Sequence, residues 1–111
     1  MMANAILPLQ STSTQLQEHI EYPQAGVLSK VLLKANTCEF TLFCLAAGTE
    51  ISEHTSTRHA VVQGLEGRGI LTLEEQDMPL EPGVLIVMPA NAPHALRADE
   101  NLAFLLTLSQ P

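Results

Sequence analysis

Gly83-Val84-Leu85-Ile86-Val87-Met88-Pro89-Ala90-Asn91-Ala92-Pro93-His94 compresses a turn glycine, an apolar run, a proline-bounded loop and a histidine into twelve residues. Glu81-Pro82 precedes the glycine, so the stretch opens on a turn by composition. Val84–Met88 is a short apolar run closed by Pro89 and reads as a strand. Pro93 then introduces a second short segment, His94–Arg97.

The same grammar continues on both sides. Val61–Glu66 is closed by Gly67-Arg68-Gly69, and Ile70–Glu74 is closed by Glu75–Pro79. Val27–Lys34 breaks at Ala35-Asn36-Thr37 and gives way to Cys38–Ala46. In that run Phe40, Leu42 and Cys44 share one parity, and Thr41, Phe43 and Leu45 the other. Apolar residues on both parities predict a strand covered on both faces. Beyond the polar stretch Ala98–Asn101, Leu102–Leu108 finishes the pattern. No segment after residue 27 sustains ten residues of helical periodicity. Roughly eight short strands in one domain predict an all-β sandwich or barrel. Residues 1–26 are more weakly patterned and are read as an N-terminal arm, with an edge strand expected around Leu16–Tyr22. The barrel is assigned to residues 27–111.

The chain of 111 residues suits one domain, and its 46% hydrophobic and 15% charged residues argue against disorder. Five Lys+Arg against twelve Asp+Glu give a formal charge of −7. Such a chain is repelled by phosphate backbones and anionic lipid, so neither nucleic acid nor a membrane surface is an expected partner. No apolar stretch approaches the ~18 residues of a membrane-spanning helix. Met1–Leu9 lacks the positive charge that opens a signal peptide. Cys38 and Cys44, on one extended strand, lie about 20 Å apart, far beyond disulfide reach. They behave as small hydrophobes, and a cytoplasmic location is the simplest expectation.

Two stretches together resemble the paired motifs of the cupin superfamily. In Gly48-Thr49-Glu50-Ile51-Ser52-Glu53-His54, five residues separate a glycine from a histidine. In the Gly83–His94 stretch, five separate Gly83 from Pro89, and His94 follows five after that. Between them, Gln63-Gly64-Leu65-Glu66-Gly67 is similar to the turn that ends the first cupin motif. The resemblance covers about residues 27–108. It implies a double-stranded β-helix, or jelly-roll barrel, with ligands pointing inward at one open end. It also implies a divalent transition metal (Fe, Mn, Ni, Cu or Zn) held by three histidines and a glutamate, or by four histidines.

Carried over by position, His54 matches the first ligand histidine and His94 the last. The second histidine of the motif falls on Ser56, and the glutamate falls on Ala60. His59, next to Ala60, is a third candidate ligand. Neighbouring strand residues point to opposite faces, so an inward Ala60 implies an outward His59 unless a bulge over Ser56–His59 intervenes. Ser56, Ala60 and Gln63 are candidate cavity residues. Glu50, Glu53 and Arg58 flank His54 as acid, base or substrate clamp, or as ordinary surface charges. Arg97 either reaches over the barrel mouth or forms a surface ion pair. His19, in the arm, is expected to be solvated. No catalytic triad spacing, P-loop or Cys-x-x-Cys is present.

Three functions follow. One is a metal-dependent cupin of oxygenase- or isomerase-like chemistry acting on or binding a small molecule at His54, His94 and His59. Another is a metal-free small-ligand binding or sensing module, in which the apolar interior binds and the histidines donate or accept hydrogen bonds. A purely structural dimerisation unit is a third. The outer faces of Val27–Leu33 and Leu102–Leu108 would be exposed on a monomer, so a homodimer with two-fold symmetry is expected.

Overall fold

The computed structural model describes residues 5–110; Met1–Asn4 of the expected arm and Pro111 of the expected barrel lie outside them. Nine strands follow one another: β1 (Val27–Lys34), β2 (Cys38–Leu45), β3 (Glu50–His54), β4 (His59–Glu66), β5 (Gly69–Leu73), β6 (Gln76–Leu80), β7 (Leu85–Met88), β8 (His94–Ala98) and β9 (Leu102–Ser109). They form two antiparallel sheets, ordered β1-β2-β9-β4-β7 and β3-β8-β5-β6. The architecture is the all-β jelly roll anticipated above.

β3 and β6, at the two edges of the smaller sheet, do not stand out as strands in the sequence pattern. Both are mostly exposed and carry polar residues, so neither shows a long apolar run. β6 contains Pro79, which an edge strand tolerates because its missing N–H need not serve a neighbour. The β5–β6 connection is the two-residue tip Glu74-Glu75, with φ of 50° and 68°.

The core lies between the sheets. Leu45, Ala60, Val62, Leu71, Leu80, Leu96 and Phe104 belong to one buried cluster. Phe43 and Phe104 sit opposite each other on β2 and β9 and stack at 5.2 Å with an 8° interplanar angle. The other parity of β2 builds a second cluster, in which Leu42, Cys44, Leu32, Ala103 and Leu105 are covered by Leu7, Leu16, Ile20 and Tyr22. Both faces of β2 are therefore covered, as its two-sided apolar pattern requires.

The expected edge strand at Leu16–Tyr22 is absent. Leu16–His19 is instead a single 3-10 turn. A strand would point Glu18 to the same side as Leu16 and Ile20, whereas the turn leaves Glu18 exposed and packs the two apolar residues on the sheet. The backbone that reaches β1 lies earlier: Ile6 and Leu7 donate to the carbonyls of Val31 and Leu32. The arm thus covers much of the outer apolar face predicted to be open.

Two glycines permit close approach of the chain to itself. A Cβ on Gly64 would overlap the Glu81 carbonyl, and one on Gly67 the Asn101 carbonyl; Gly67 also has φ +75°.

Candidate functional site

β3 and β8 bring two histidines together by different means. On β8, His94, Leu96 and Ala98 share the parity that faces the opposite sheet, so His94 points inward by simple alternation. On β3, alternation from the inward Ile51 would point His54 outward. The register prevents this: Ile51 pairs Leu96 and His54 pairs His94, so three steps on β3 oppose two on β8. One extra residue at Ser52-Glu53 makes a bulge, which reverses parity and turns His54 to the inner side. The two rings lie 4.2 Å apart, centroid to centroid, at 63°.

Each ring is anchored by its own strand in the same way. His54 Nδ1 lies 2.9 Å from the Ser52 carbonyl, and His94 Nδ1 lies 2.9 Å from the Ala92 carbonyl. A carbonyl only accepts, so both Nδ1 atoms carry the proton and donate. In the neutral rings Nε2 is left with a free lone pair, the arrangement that suits an acceptor or a metal ligand.

Below the pair lies an apolar chamber of about 190 Å³, walled by Phe43, Ile51, Leu71, Leu80, Leu96 and Phe104 among others. Above it is a vestibule of about 210 Å³, bounded by Ser56, Arg58, Ala60, Pro89 and Leu108. His54, His94, Met88 and Leu106 line both spaces, so the histidines stand at the neck between them. Two loops form the rim, residues 55–58 and 89–93. The Asn91 N–H donates to the Ser56 carbonyl at 2.7 Å, and the Arg58 N–H donates to Ser56 Oγ at 3.2 Å.

The remaining candidates divide clearly. Ser56 and Ala60 line the vestibule. Gln63 does not: it is exposed on the outer parity of β4, where Leu85 and Leu105 are its cross-strand partners. His59 has the same outward parity, is exposed, and accepts from the Ala90 N–H through Nδ1 at 3.0 Å. The bulge that would have turned it inward lies on β3 rather than over Ser56–His59, so His59 does not join the pair. Arg97 is on the outer parity of β8 and pairs with Asp99 at 2.9 Å, away from the mouth. Exposed Glu50 and Glu53 line neither space. His19 approaches Thr14 Oγ1 at 2.7 Å in the arm.

The donor set can be compared with the metal that the resemblance implies. Catalytic zinc keeps three protein ligands and structural zinc four. Here two imidazole rings lie side by side, and among the described residues no group of three or more His, Cys, Asp or Glu side chains is placed to hold an ion. Serine and alanine stand where the other ligands would be. This set does not fit a tightly held divalent centre.

The cupin-domain family profile matches residues 41–108, more than half of the chain and both histidines. The chain belongs to the cupin family. A conserved protein of unknown function from Streptococcus pyogenes is 31% identical, with 99% of this cupin and 96% of that chain aligned at a TM-score of 0.83. A cupin superfamily protein from Desulfitobacterium hafniense is 24% identical over 98% and 100% of the two chains, at 0.84. A single-residue mutant of salicylate 1,2-dioxygenase from Pseudoaminobacter salicylatoxidans aligns at 0.72 and 22% identity over 76% of this cupin, which spans 26% of that enzyme. The last two likenesses establish shared fold alone. Among curated proteins none matches. Among the described residues no helix is long and apolar enough to cross a membrane.

The two histidines are legible in the sequence, but the chamber is not. Its walls are ordinary core residue types, and only inward parity, visible for Phe43 within Cys38–Ala46, distinguishes them. The β3 bulge leaves no mark in composition.

Proposed function

We propose that this cupin binds a small organic molecule inside the barrel, its apolar body in the chamber and a hydroxyl or N–H group at the neck, donating to the free Nε2 atoms of His54 and His94. The observation that carries the reading is the apolar chamber flanked at its mouth by two anchored imidazoles. A cavity of roughly 150 Å³ lined by aliphatic and aromatic side chains is enough to take up benzene. At about 190 Å³ this chamber is large enough for a ring of that size. Few convergent polar groups on an apolar wall is the usual character of a small-molecule site.

Calorimetric titration with benzamide tests this, because its ring and amide N–H match the two parts of the site. Saturable binding is expected, weakened about tenfold or more by Leu71→Phe, which takes up chamber space, and by His94→Ala. Absence of binding by the unsubstituted protein sinks the proposal. The two free Nε2 atoms support a second reading, a weakly held divalent cation at the same pair. Zn²⁺ titration of untagged protein separates the two, since one ion per chain lost in His94→Ala would favour the cation.

A homodimer belongs to the same proposal, although the arm removes much of its original motive. What supports it now is the edge strand β7, where Leu85 and Val87 are 59% and 62% exposed. Sedimentation at micromolar concentration is expected to give twice the 12.0 kDa chain mass. A species of single-chain mass would remove the dimer and leave the binding site untouched.

A further inference from the structure

We infer that the ligand is an anion, an apolar molecule ending in a carboxylate, and that Arg58 is the residue that selects it. This deepens the reading of the barrel interior as a ligand site and rests on it.

Cations are few in this chain, five Lys and Arg against twelve Asp and Glu, and all but one are matched. Lys30 pairs with Glu21, Lys34 with Glu39, Arg68 with Glu81 and Arg97 with Asp99. Among the described residues Arg58 alone has no ion-pair partner, and it lines the vestibule with both histidines. A chain with a formal charge of −7 has ample carboxylates to neutralise one more guanidinium. Glu39 borders a neighbouring crevice that Arg58 also lines, yet its ion pair is with Lys34, at 3.8 Å.

The backbone of Arg58 is also placed rather than free. Its N–H is held by Ser56 Oγ, and the Ser56 carbonyl is held by the Asn91 N–H of the facing loop. Guanidinium presents a planar fork of donors that matches a carboxylate with two parallel hydrogen bonds. The anionic end therefore belongs in the vestibule on the Arg58 side, beyond the group that meets the histidines at the neck, with the apolar body in the chamber. Because the net charge repels anions at long range, any preference for an anion has to arise from this local contact.

Matched probes, 3-phenylpropanoate and 3-phenylpropanamide, differ in charge and little in shape. Calorimetry on the full chain is expected to show the carboxylate binding about tenfold tighter than the amide, the size of a charge-assisted contact. Arg58→Gln should collapse that ratio to about one, and Arg58→Lys should restore part of it. A ratio that survives in Arg58→Gln overturns the inference, as does equal binding of both probes by the unsubstituted protein. Equal binding leaves the chamber reading standing. If neither probe nor benzamide binds, the chamber reading falls first and takes this inference with it.

Discussion

On its outer face the five-stranded sheet packs Leu42, Cys44 and Ala103, each fully buried, beneath Leu16, Ile20 and Tyr22 of the arm. On its inner face the same sheet sends Phe43, Val62 and Phe104 toward the second sheet, and about 190 Å³ stays open between them. Adjacent residues of β2 and β9 serve the two layers, so overall hydrophobicity does not explain the difference. What differs is the cover. The arm is a strap of large side chains, free of sheet pairing over Leu16–Tyr22, that can settle onto the sheet, whereas the strands of the second sheet are tied to one another and move onto the first only as a layer. Interiors normally close to the density of organic crystals. A space left in the middle of an otherwise packed core is therefore informative about use.

Enlarging one side chain on each face tests this contrast. Cys44→Leu adds volume to a layer with no space and is expected to cost about 1–3 kcal/mol. Leu71→Phe adds volume at the chamber wall, where room exists, and is expected to cost less than about 1 kcal/mol. Urea unfolding midpoints at unchanged m-value give both numbers. Equal costs would mean that the chamber closes in solution and that the two layers are alike. A cheap Leu71→Phe that also weakens benzamide would locate the ligand in that space.

How much of this was legible in the sequence follows the same division. Two-sided apolar runs such as Cys38–Ala46 announce doubly covered strands, and the glycine, proline and histidine spacings point to the jelly roll. The smaller sheet was half hidden, because β3 and β6 are exposed edges whose residues answer to solvent more than to the core. His94 could be placed by counting along β8. His54 could not, since a one-residue bulge reverses its side, and bulges arise from pairing register that is invisible in one strand alone. His59, a candidate ligand in the sequence, was open for the same reason: its side depended on whether a bulge fell over Ser56–His59, and in the structure regular alternation beside buried Ala60 points it outward. The arm was the least legible part, because Leu16 and Ile20 share a face in a strand and also meet in a turn.

The fastening of the outer layer gives a further test of the contrast. Tyr22 donates its hydroxyl to Glu66 Oε1 at 2.7 Å, joining the arm to the end of β4. Tyr22→Phe keeps the ring and removes this bond, which costs about 1 kcal/mol at neutral pH. Burial first, and then the Glu66 hydrogen bond and charge, push the phenol well above its ordinary range. The folded state therefore keeps a proton that the unfolded chain gives up at about pH 10. That stabilisation is full below the unfolded value and is lost as pH rises toward the folded one. The unsubstituted protein should lose stability faster than Tyr22→Phe above about pH 10, so the gap between them narrows. Burial also raises the Cys44 thiol, which adds an alkaline loss beginning at about pH 8.5. Both proteins carry Cys44, so their difference reports Tyr22. Parallel curves up to about pH 11 would mean that the arm is tied by apolar contact alone, and the outer layer would then owe its density to packing without a polar fastening.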